Sequence, residues 1–298
     1  MILMRRRRSP VFWQNIWGLL FVLPAIGLLL VFNIYPLLRA FYLSFHTWSL
    51  AGSPTFVGLD NFTTMFRHDR LFIESIVVTV VYSLGVNPIL WVMGLSLALL
   101  MNRDLRGRGL FRTIYFIPTV VSWVVVSIVW YSLLHPSFGI NALIMGRLFN
   151  ARGIPFLTHR AYTLPMIIFL SVWKSVGYIM VLFLAGLQAI PSTYYEAAAI
   201  DGANAWMRFR HVTLPLLSPT MLFVFVTSII GSFQIFVPIQ IMTQGGPAGA
   251  TRVFPMLIYQ NAFNFLKMGY ASALSMVLFA ILMGLTLFQV RIFRMGEI

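Results

Sequence analysis

The sequence predicts an all-α polytopic membrane protein with six transmembrane helices. Of its 298 residues, 59% are hydrophobic and only 9% are charged, and the mean hydropathy is +0.87. A soluble domain of this length could not keep so apolar a chain dissolved. A bilayer core about 30 Å thick needs about 20 apolar residues per helix. Six runs of that length follow one another along the chain.

The six predicted spans lie within residues 9–38 and at 75–101, 113–134, 161–189, 214–242 and 268–290. Lys174 interrupts the fourth. Prolines within the spans, Pro88, Pro118 and Pro238 among them, either mark bends or are ordinary membrane-helix prolines. We expect a basic N-terminal segment at 1–14 and a single six-helix domain at 15–298.

Positive residues set the predicted direction of the spans. With both termini inside, cytoplasmic segments hold twelve arginines, four of them at 5–8, against eight positive residues outside, Arg39 among them. Since positive residues favour the cytoplasm, we expect a multi-pass protein of the cell inner membrane with both termini cytoplasmic. The first run is long and lacks a close small-residue cleavage site, so we expect an uncleaved span.

Composition also excludes several classes of protein. The net charge of +14 comes from residues that stand between apolar runs and form no stripe, so we expect no nucleic-acid partner. The absence of cysteine excludes thiolate metal sites and cysteine nucleophiles. The sequence contains neither a Gly-x-x-x-x-Gly-Lys-Ser/Thr phosphate loop nor a His-Glu-x-x-His motif. We therefore expect no enzyme, no catalytic residue and no cofactor or metal in this chain.

The loop at 191–215, between the fourth and fifth spans, carries its own local structure. Thr193 and Glu196 have the spacing of a capping box, which predicts a helix start. Gly202 fits a left-handed stop after three alanines. A second short helix should follow at 205–210, until Leu214 and Pro215 reorient the chain into the fifth span.

Four aromatic residues should be exposed on this projection. Such rings are typical both of anchors that fill a partner's groove and of an aromatic belt at the headgroup boundary, and the two alternatives are equally favoured by the residues alone. They are Tyr194, Tyr195, Trp206 and Phe209.

This loop resembles the EAA loop of binding-protein-dependent importer permeases. Seven positions match at fixed spacing, with Val212 where that family more often has isoleucine, and they are Glu196, Ala197, Ala198, Gly202, Val212, Leu214 and Pro215. The resemblance implies the type I ABC importer permease fold and a coupling helix that docks on a separate ATPase. Asp201 and Trp206 are assigned to the same ATPase-coupling surface.

Further segments, at 185–191, 200–203, 231–236, 243–247 and 269–273, resemble the sugar-uptake permeases of the maltose and glycerol-phosphate type. The likeness covers roughly 61–298, although the 135–160 segment lacks the large insert of some maltose permeases. It implies a second, usually different, permease subunit, two ATPase subunits that bind ATP and Mg²⁺, and an external solute-binding protein. The alternatives are a non-sugar solute on the same fold or, less favoured, a secondary transporter or channel.

Candidate pathway residues lie in the fourth and fifth spans. Lys174 has no carboxylate at membrane depth, and it could contact solute or backbone carbonyls, face a sister subunit, or snorkel to the headgroups. Aromatic and amide side chains near the end of the fifth span suit hydroxyl-rich rings, although the amides could equally join helices. These are Phe233, Gln234, Phe236 and Gln240. A tight external turn is expected at 243–247 and a short helix at 254–265.

Overall fold

The computed structural model confirms a helical membrane protein, and it describes residues 10–50, 52–103, 106–149 and 151–295. Five helices in this part of the chain are long and apolar enough to cross a membrane. A bent pair of shorter helices makes the sixth span if it is counted as one. The basic cluster at 5–8 lies outside the described residues.

The helices follow in sequence order. They are α1 (Pro10–Leu29), α2 (Tyr35–Ser44), α3 (Asp60–Arg67), α4 (Arg70–Met101), α5 (Arg108–Val120), α6 (Trp123–Leu134), α7 (Ile140–Phe149), α8 (Arg160–Gln188), α9 (Ser192–Ile200), α10 (Ala205–Arg208), α11 (Leu214–Phe233), α12 (Val237–Met242), α13 (Phe254–Tyr259) and α14 (Met268–Met295). Within the described residues, π-helical turns occur at Leu30–Ile34, Phe209–Thr213 and Gln260–Asn264. Two short strands, β1 (His46–Thr47) and β2 (Thr55–Phe56), pair antiparallel.

The described residues divide into two compact units, one comprising those up to Thr64 with Asn261–Val277, and the other Met65–Gln260 with those from Leu278. Within the first, Asn61 donates from Nδ2 to the carbonyl oxygens of Ser44 at 2.9 Å and His46 at 3.0 Å. The start of α14 lies so close that a Cβ on Gly269 would collide with the His46 carbonyl. That 15–298 form a single domain stays a prediction.

Helix α8 is the centre of the second unit. In its most apolar 18-residue stretch, 61% of the residues are buried, against 33% in α4. Glycines let neighbouring helices approach it, as small residues do in membrane proteins. A Cβ on Gly177 would collide with the backbone of Tyr115 in α5, and one on Gly186 would crowd Thr220 in α11.

The first span runs further than predicted. Helix α1 continues through a π-helical turn into α2, so the helical span extends to Ser44. Arg39 therefore lies near the end of a helix, and its assignment to the external side stays a prediction. Its guanidinium lies 5.5 Å from the ring centroid of Tyr42, where a cation and an aromatic face attract each other.

The third predicted span is not one straight helix. Helices α5 and α6 meet at an angle of 95°. Pro118 weakens the end of α5 because it lacks an N–H group. Ser122 then starts α6 afresh, since its Oγ accepts from the Val124 N–H at 3.3 Å.

The fifth predicted span, 214–242, is also interrupted. Helix α11 ends at Phe233, and α12 begins at Val237 with a proline at its first turn. Pro238 has no N–H to donate to a carbonyl of the preceding turn, and it lies in the first turn of the new helix, where a proline is tolerated. Residues 234–236 are therefore not part of a regular helix.

Candidate functional site

A cavity of about 300 Å³ opens among α4, α6, α8, α11 and the interrupted segment after α11. Its wall combines flat aromatic faces with hydroxyl and amide groups, the mixture that fixes a polar ring in an otherwise apolar pocket. The residues that supply these groups are Tyr82, Trp123, Ser171, Ser175, Tyr178, Thr227, Ser228, Ser232, Gln234 and Phe236.

Helical spacing explains how the polar groups reach one cavity. Ser171, Ser175 and Tyr178 are four and three residues apart on α8, which places them on one face of that helix. The break after Phe233 adds two more groups. Because α11 ends there, Gln234 and Phe236 line the cavity wall.

Hydrogen bonds between helices hold the cavity walls together. Tyr82 donates from its Oη to Ser171 Oγ at 2.7 Å, which joins α4 to α8. Trp91 donates from Nε1 to Ser228 Oγ at 2.8 Å, which joins α4 to α11. Side-chain hydrogen bonds of this kind stabilise neighbouring membrane helices by about 1 kcal/mol each. Hydrogen bonds between α4, α8 and α11 therefore stabilise the cavity walls.

The predicted pathway residues divide into two groups. Gln234 and Phe236 line the cavity, and the Phe236 ring lies 5.0 Å from that of Tyr259. Phe233 is buried outside the cavity wall. Gln240 and Lys174 are also absent from the wall, and the buried Oε1 of Gln240 has no protein partner among the described residues.

Lys174 lies against backbone carbonyls. Only 5% of its surface is exposed. Its Nζ donates to the carbonyl oxygens of Pro118 at 3.1 Å, Thr119 at 3.2 Å and Val121 at 2.8 Å. These atoms belong to the end of α5 and the break that follows it.

Three aromatic lining residues were missed by sequence reasoning. Tyr82, Trp123 and Tyr178 each lie in an apolar run, where an aromatic ring gives no direction by itself. A usable signal was the hydroxyl spacing of Ser171 and Ser175, which marks the polar face of α8 that Tyr178 shares. Trp123 offered no such signal, because its place depends on the break between α5 and α6.

The 191–215 loop contains the two predicted short helices and the predicted turn. Gly202 has a φ of +78°, and its N–H donates to the Ala199 carbonyl at 3.1 Å while that of Ala203 donates to Ala198 at 2.8 Å. These two bonds define a Schellman motif, which ends a helix on a left-handed residue. Asp201 is the C-terminal cap residue of α9. The left-handed stop is confirmed.

The predicted capping box is wrong. Helix α9 begins at Ser192 with Pro191 as its N-cap residue, and no side chain caps it. Thr193 therefore lies inside the first turn, because the fixed φ of Pro191 already sets the chain's entry. Glu196, Ala197 and Ala198 lie within α9, and Glu196 is exposed. Asn204 caps the next helix instead, its Oδ1 accepting from the Met207 N–H at 2.9 Å.

Two of the four aromatics on the loop are exposed. Tyr194 is 52% and Trp206 is 65% exposed, as is the aliphatic Ile200 at 87%. Tyr195 and Phe209 are only half-buried, and the Tyr195 hydroxyl lies 3.1 Å from Thr213 Oγ1. The expectation that all four project freely is wrong, because Tyr195 packs back against the base of the loop.

The chain does not turn at Leu214 and Pro215. Helix α10 passes through the π-helical turn Phe209–Thr213 directly into α11, with Pro215 in the first turn of α11. A proline is tolerated there because a widened turn needs no N–H from it. Trp206 is thus joined to α11 by uninterrupted helical turns.

Comparison with known proteins identifies the family. Residues 91–293 match the family described as binding-protein-dependent transport system inner membrane component. The chain belongs to this family. The match contains α8, the 191–215 loop and α11, and it makes the protein a membrane-embedded permease component of an ABC importer.

Named relatives share most of the chain. The trehalose/maltose transport system permease protein MalF of Thermococcus litoralis is 34% identical over 93% of this chain and 93% of its own. The lactose transport system permease protein LacF of Rhizobium radiobacter is 36% identical over 91% of this chain and 92% of its own. A solved bacterial alginate ABC transporter, in complex with its alginate pentasaccharide-bound periplasmic protein, has a chain with a TM-score of 0.80 and 26% identity that covers 96% of this chain and 98% of its own.

Proposed function

We propose that this permease forms one half of the translocation pathway for a sugar or a related polar solute. The observation that carries this proposal is the cavity wall, where Trp123, Tyr178 and Phe236 offer flat faces beside hydroxyls and the Gln234 amide. Sugar rings present apolar C–H faces and many hydroxyls, and such a wall meets both needs. The named solutes of the relatives, trehalose, maltose and lactose, support the same class.

A neutral sugar is favoured over an acidic one. Among the described residues that line the cavity, none carries a formal charge. An anionic solute would lose its hydration there without a counter-charge from this chain, which is costly at membrane depth. The related alginate transporter is described as importing an acidic polysaccharide, so acidic glycans are the second candidate.

Transport should be driven through the 191–215 loop by separate ATPase subunits. ATP can bias a permease only through a contact that differs between its inward- and outward-facing states. The loop offers such a contact, because Trp206 and Ile200 are exposed and α10 is continuous with the cavity-lining α11. The proposed coupling surface comprises Glu196, Ala197, Ala198, Asp201, Gly202, Trp206, Leu214 and Pro215.

The proposed assembly has two ATPases, an external solute-binding protein and a second permease of a different sequence. ATP and Mg²⁺ would be held by the ATPases. Both termini and the 191–215 loop would face the cytoplasm, as the arginine distribution favours. The alginate transporter with its bound periplasmic protein supports the solute-binding partner.

The test has two stages. First, the solute-binding protein that copurifies with this chain is captured and its ligand is identified by mass spectrometry. An amino acid, a peptide or a metal chelate as that ligand would contradict the proposal. Second, uptake of the ligand is measured in liposomes that contain the reconstituted complex.

Tyr178→Leu and Tyr162→Leu form a matched pair for the uptake assay. Both tyrosines lie on α8 and are similarly exposed, at 42% and 47%, but only Tyr178 lines the cavity. We expect Tyr178→Leu to raise the half-saturating concentration about tenfold, the equivalent of about 1.4 kcal/mol. Tyr162→Leu should leave it unchanged, and equal effects of the two variants would remove the cavity from the pathway.

A further inference from the structure

The break between α5 and α6 creates a problem at membrane depth. The last four carbonyl groups of a helix have no partner within it. In a continuous span the next turn would satisfy them, whereas hydrocarbon offers no donor. An unsatisfied buried carbonyl costs about 1–3 kcal/mol.

Lys174 supplies the missing donors from the neighbouring helix. Its ammonium group has three N–H bonds, and the three carbonyl oxygens of Pro118, Thr119 and Val121 lie 2.8–3.2 Å from Nζ. The positive charge also suits the negative end of the α5 dipole. Carbonyl dipoles thus take the place of the carboxylate that Lys174 lacks.

Two further contacts join α5 to α8 near Lys174. Thr119 donates from Oγ1 to the backbone carbonyl of Lys174 at 3.0 Å, so each of the two residues donates a hydrogen bond to the other. We call these contacts between Lys174 and the end of α5 the junction. One turn along α8, Gly177 lies directly against the Tyr115 backbone of α5. Helix α5 is therefore held on α8 by close packing and by Lys174 together.

The junction reaches the cavity through Trp123. This residue begins α6 immediately after the break, and its ring lines the cavity. Lys174 Nζ lies 4.9 Å from the centroid of that ring, within the range of a cation–π interaction. One side chain thus contacts the end of α5, the break and the aromatic wall.

We infer that Lys174 is a positioning residue that fixes the break between α5 and α6 and thereby sets the Trp123 ring in the cavity wall. The role in transport rests on the proposed function, whereas the geometric role does not. Lys174 acts through Trp123 and need not touch the solute.

The geometric role is tested by a distance across the break. The chain has no cysteine, so Leu110→Cys and Val129→Cys, both at exposed sites, place one spin label on α5 and one on α6. Nineteen residues of uninterrupted helix would separate the two backbones by about 29 Å, and the bent pair is shorter. Pulsed electron resonance in lipid nanodiscs measures the distribution.

Lys174→Met should move the distribution toward the longer value or broaden it. Lys174→Arg, which keeps a charge and donors, should stay nearer to the parent. Lys267→Met, at an exposed lysine, is the matched control and should change nothing. If Lys174→Met does not yield monodisperse protein, Lys174→Gln, with two N–H donors, replaces it and should give an intermediate shift. If Lys174→Met, or Lys174→Gln where it is used instead, gives the same distance distribution as the parent, the inference is overturned.

Uptake by the reconstituted complex separates the two proposals. A changed distance with at least a fivefold rise in half-saturating concentration supports both the junction and the pathway role of Trp123. A changed distance with parental uptake supports the junction and removes Trp123 from the pathway. An unchanged distance overturns the junction even if the solute proves to be a sugar.

Discussion

The hydroxyl oxygens of Ser83 and Ser232 lie 2.8 Å apart, and the amide nitrogen of Asn87 donates to each of them at 2.9 Å. This buried triad joins α4, just before its internal proline, to the end of α11. Asn87 directly precedes Pro88 within α4, and Ser232 stands two residues before Gln234, where α11 has ended. The triad therefore holds the interruption of α11 in place beside the cavity.

Ser232→Ala should destabilise the helix bundle by about 1–2 kcal/mol, because it removes the hydroxyl through which Ser83 and Asn87 of α4 hydrogen-bond to α11. Unfolding in a mild detergent, followed by tryptophan fluorescence, measures the loss. Ser218→Ala, at a half-buried site on the same helix, is the control and should lie within about 0.5 kcal/mol of the parent. A Ser232→Ala protein as stable as the control would mean that the triad does not hold the two helices together.

Span counting predicted the fold class because hydrocarbon demands long apolar runs whatever their neighbours. The bends could not be predicted in the same way. Pro88 and Pro118 look alike in sequence, yet α4 continues through Pro88 whereas the chain turns by 95° after Pro118. The difference involves Lys174, which lies 56 residues further along the chain than Pro118. Its Nζ donates to the carbonyl groups that the end of α5 leaves without a helical partner.

In the candidate site, too, local features could be predicted from the sequence and features set by the packing of helices could not. Gly202 could be predicted because a left-handed turn is a local property. Gln234 and Phe236 were predicted from their chemistry, because aromatic and amide side chains near the end of the fifth span suit hydroxyl-rich rings. Trp123 and Tyr82 were missed, since which wall a ring faces is set by the packing of separate helices and not by its own run.

Gly177→Ala should force α5 away from α8. The added methyl group would collide with the Tyr115 carbonyl, which is backbone and cannot rotate aside. Overpacking of this kind costs about 1–3 kcal/mol. The melting temperature in detergent should fall by several degrees. Gly146→Ala on α7 is the matched control, because nothing lies within 4 Å of its added carbon. Equal melting temperatures for the two variants would contradict the close approach of α5 and α8.

The direction of the spans is testable by single-cysteine labelling, since the parent has no cysteine. Ser192→Cys, exposed at the start of α9, should react with an impermeant maleimide only after the cells are opened. Ser53→Cys, exposed before β2, should react in intact cells. The reverse pattern would invert the proposed topology and place the 191–215 loop outside.

Coupling of the ATPase should depend on the left-handed turn at Gly202. Its φ is +78°, and no atom lies within 4 Å of an added Cβ, so a side chain there meets backbone strain and no steric obstacle. Asparagine tolerates this conformation, whereas a β-branched residue does not. Gly202→Asn and Gly202→Val therefore differ chiefly in how well the turn between α9 and α10 survives.

We expect Gly202→Val to insert normally but to lose most solute-stimulated ATPase activity and uptake, because a turn strained by about 1–2 kcal/mol no longer presents Ile200 and Trp206 together. Gly202→Asn should keep more than half of both. Glu196→Ala is not expected to weaken the start of α9, since no side chain caps that helix, so any loss there reports a contact with the ATPase. Parental uptake and ATPase activity in Gly202→Val would mean that coupling does not pass through this loop, whereas equal loss in Gly202→Asn and Gly202→Val would mean that the ATPase requires the bare glycine surface itself.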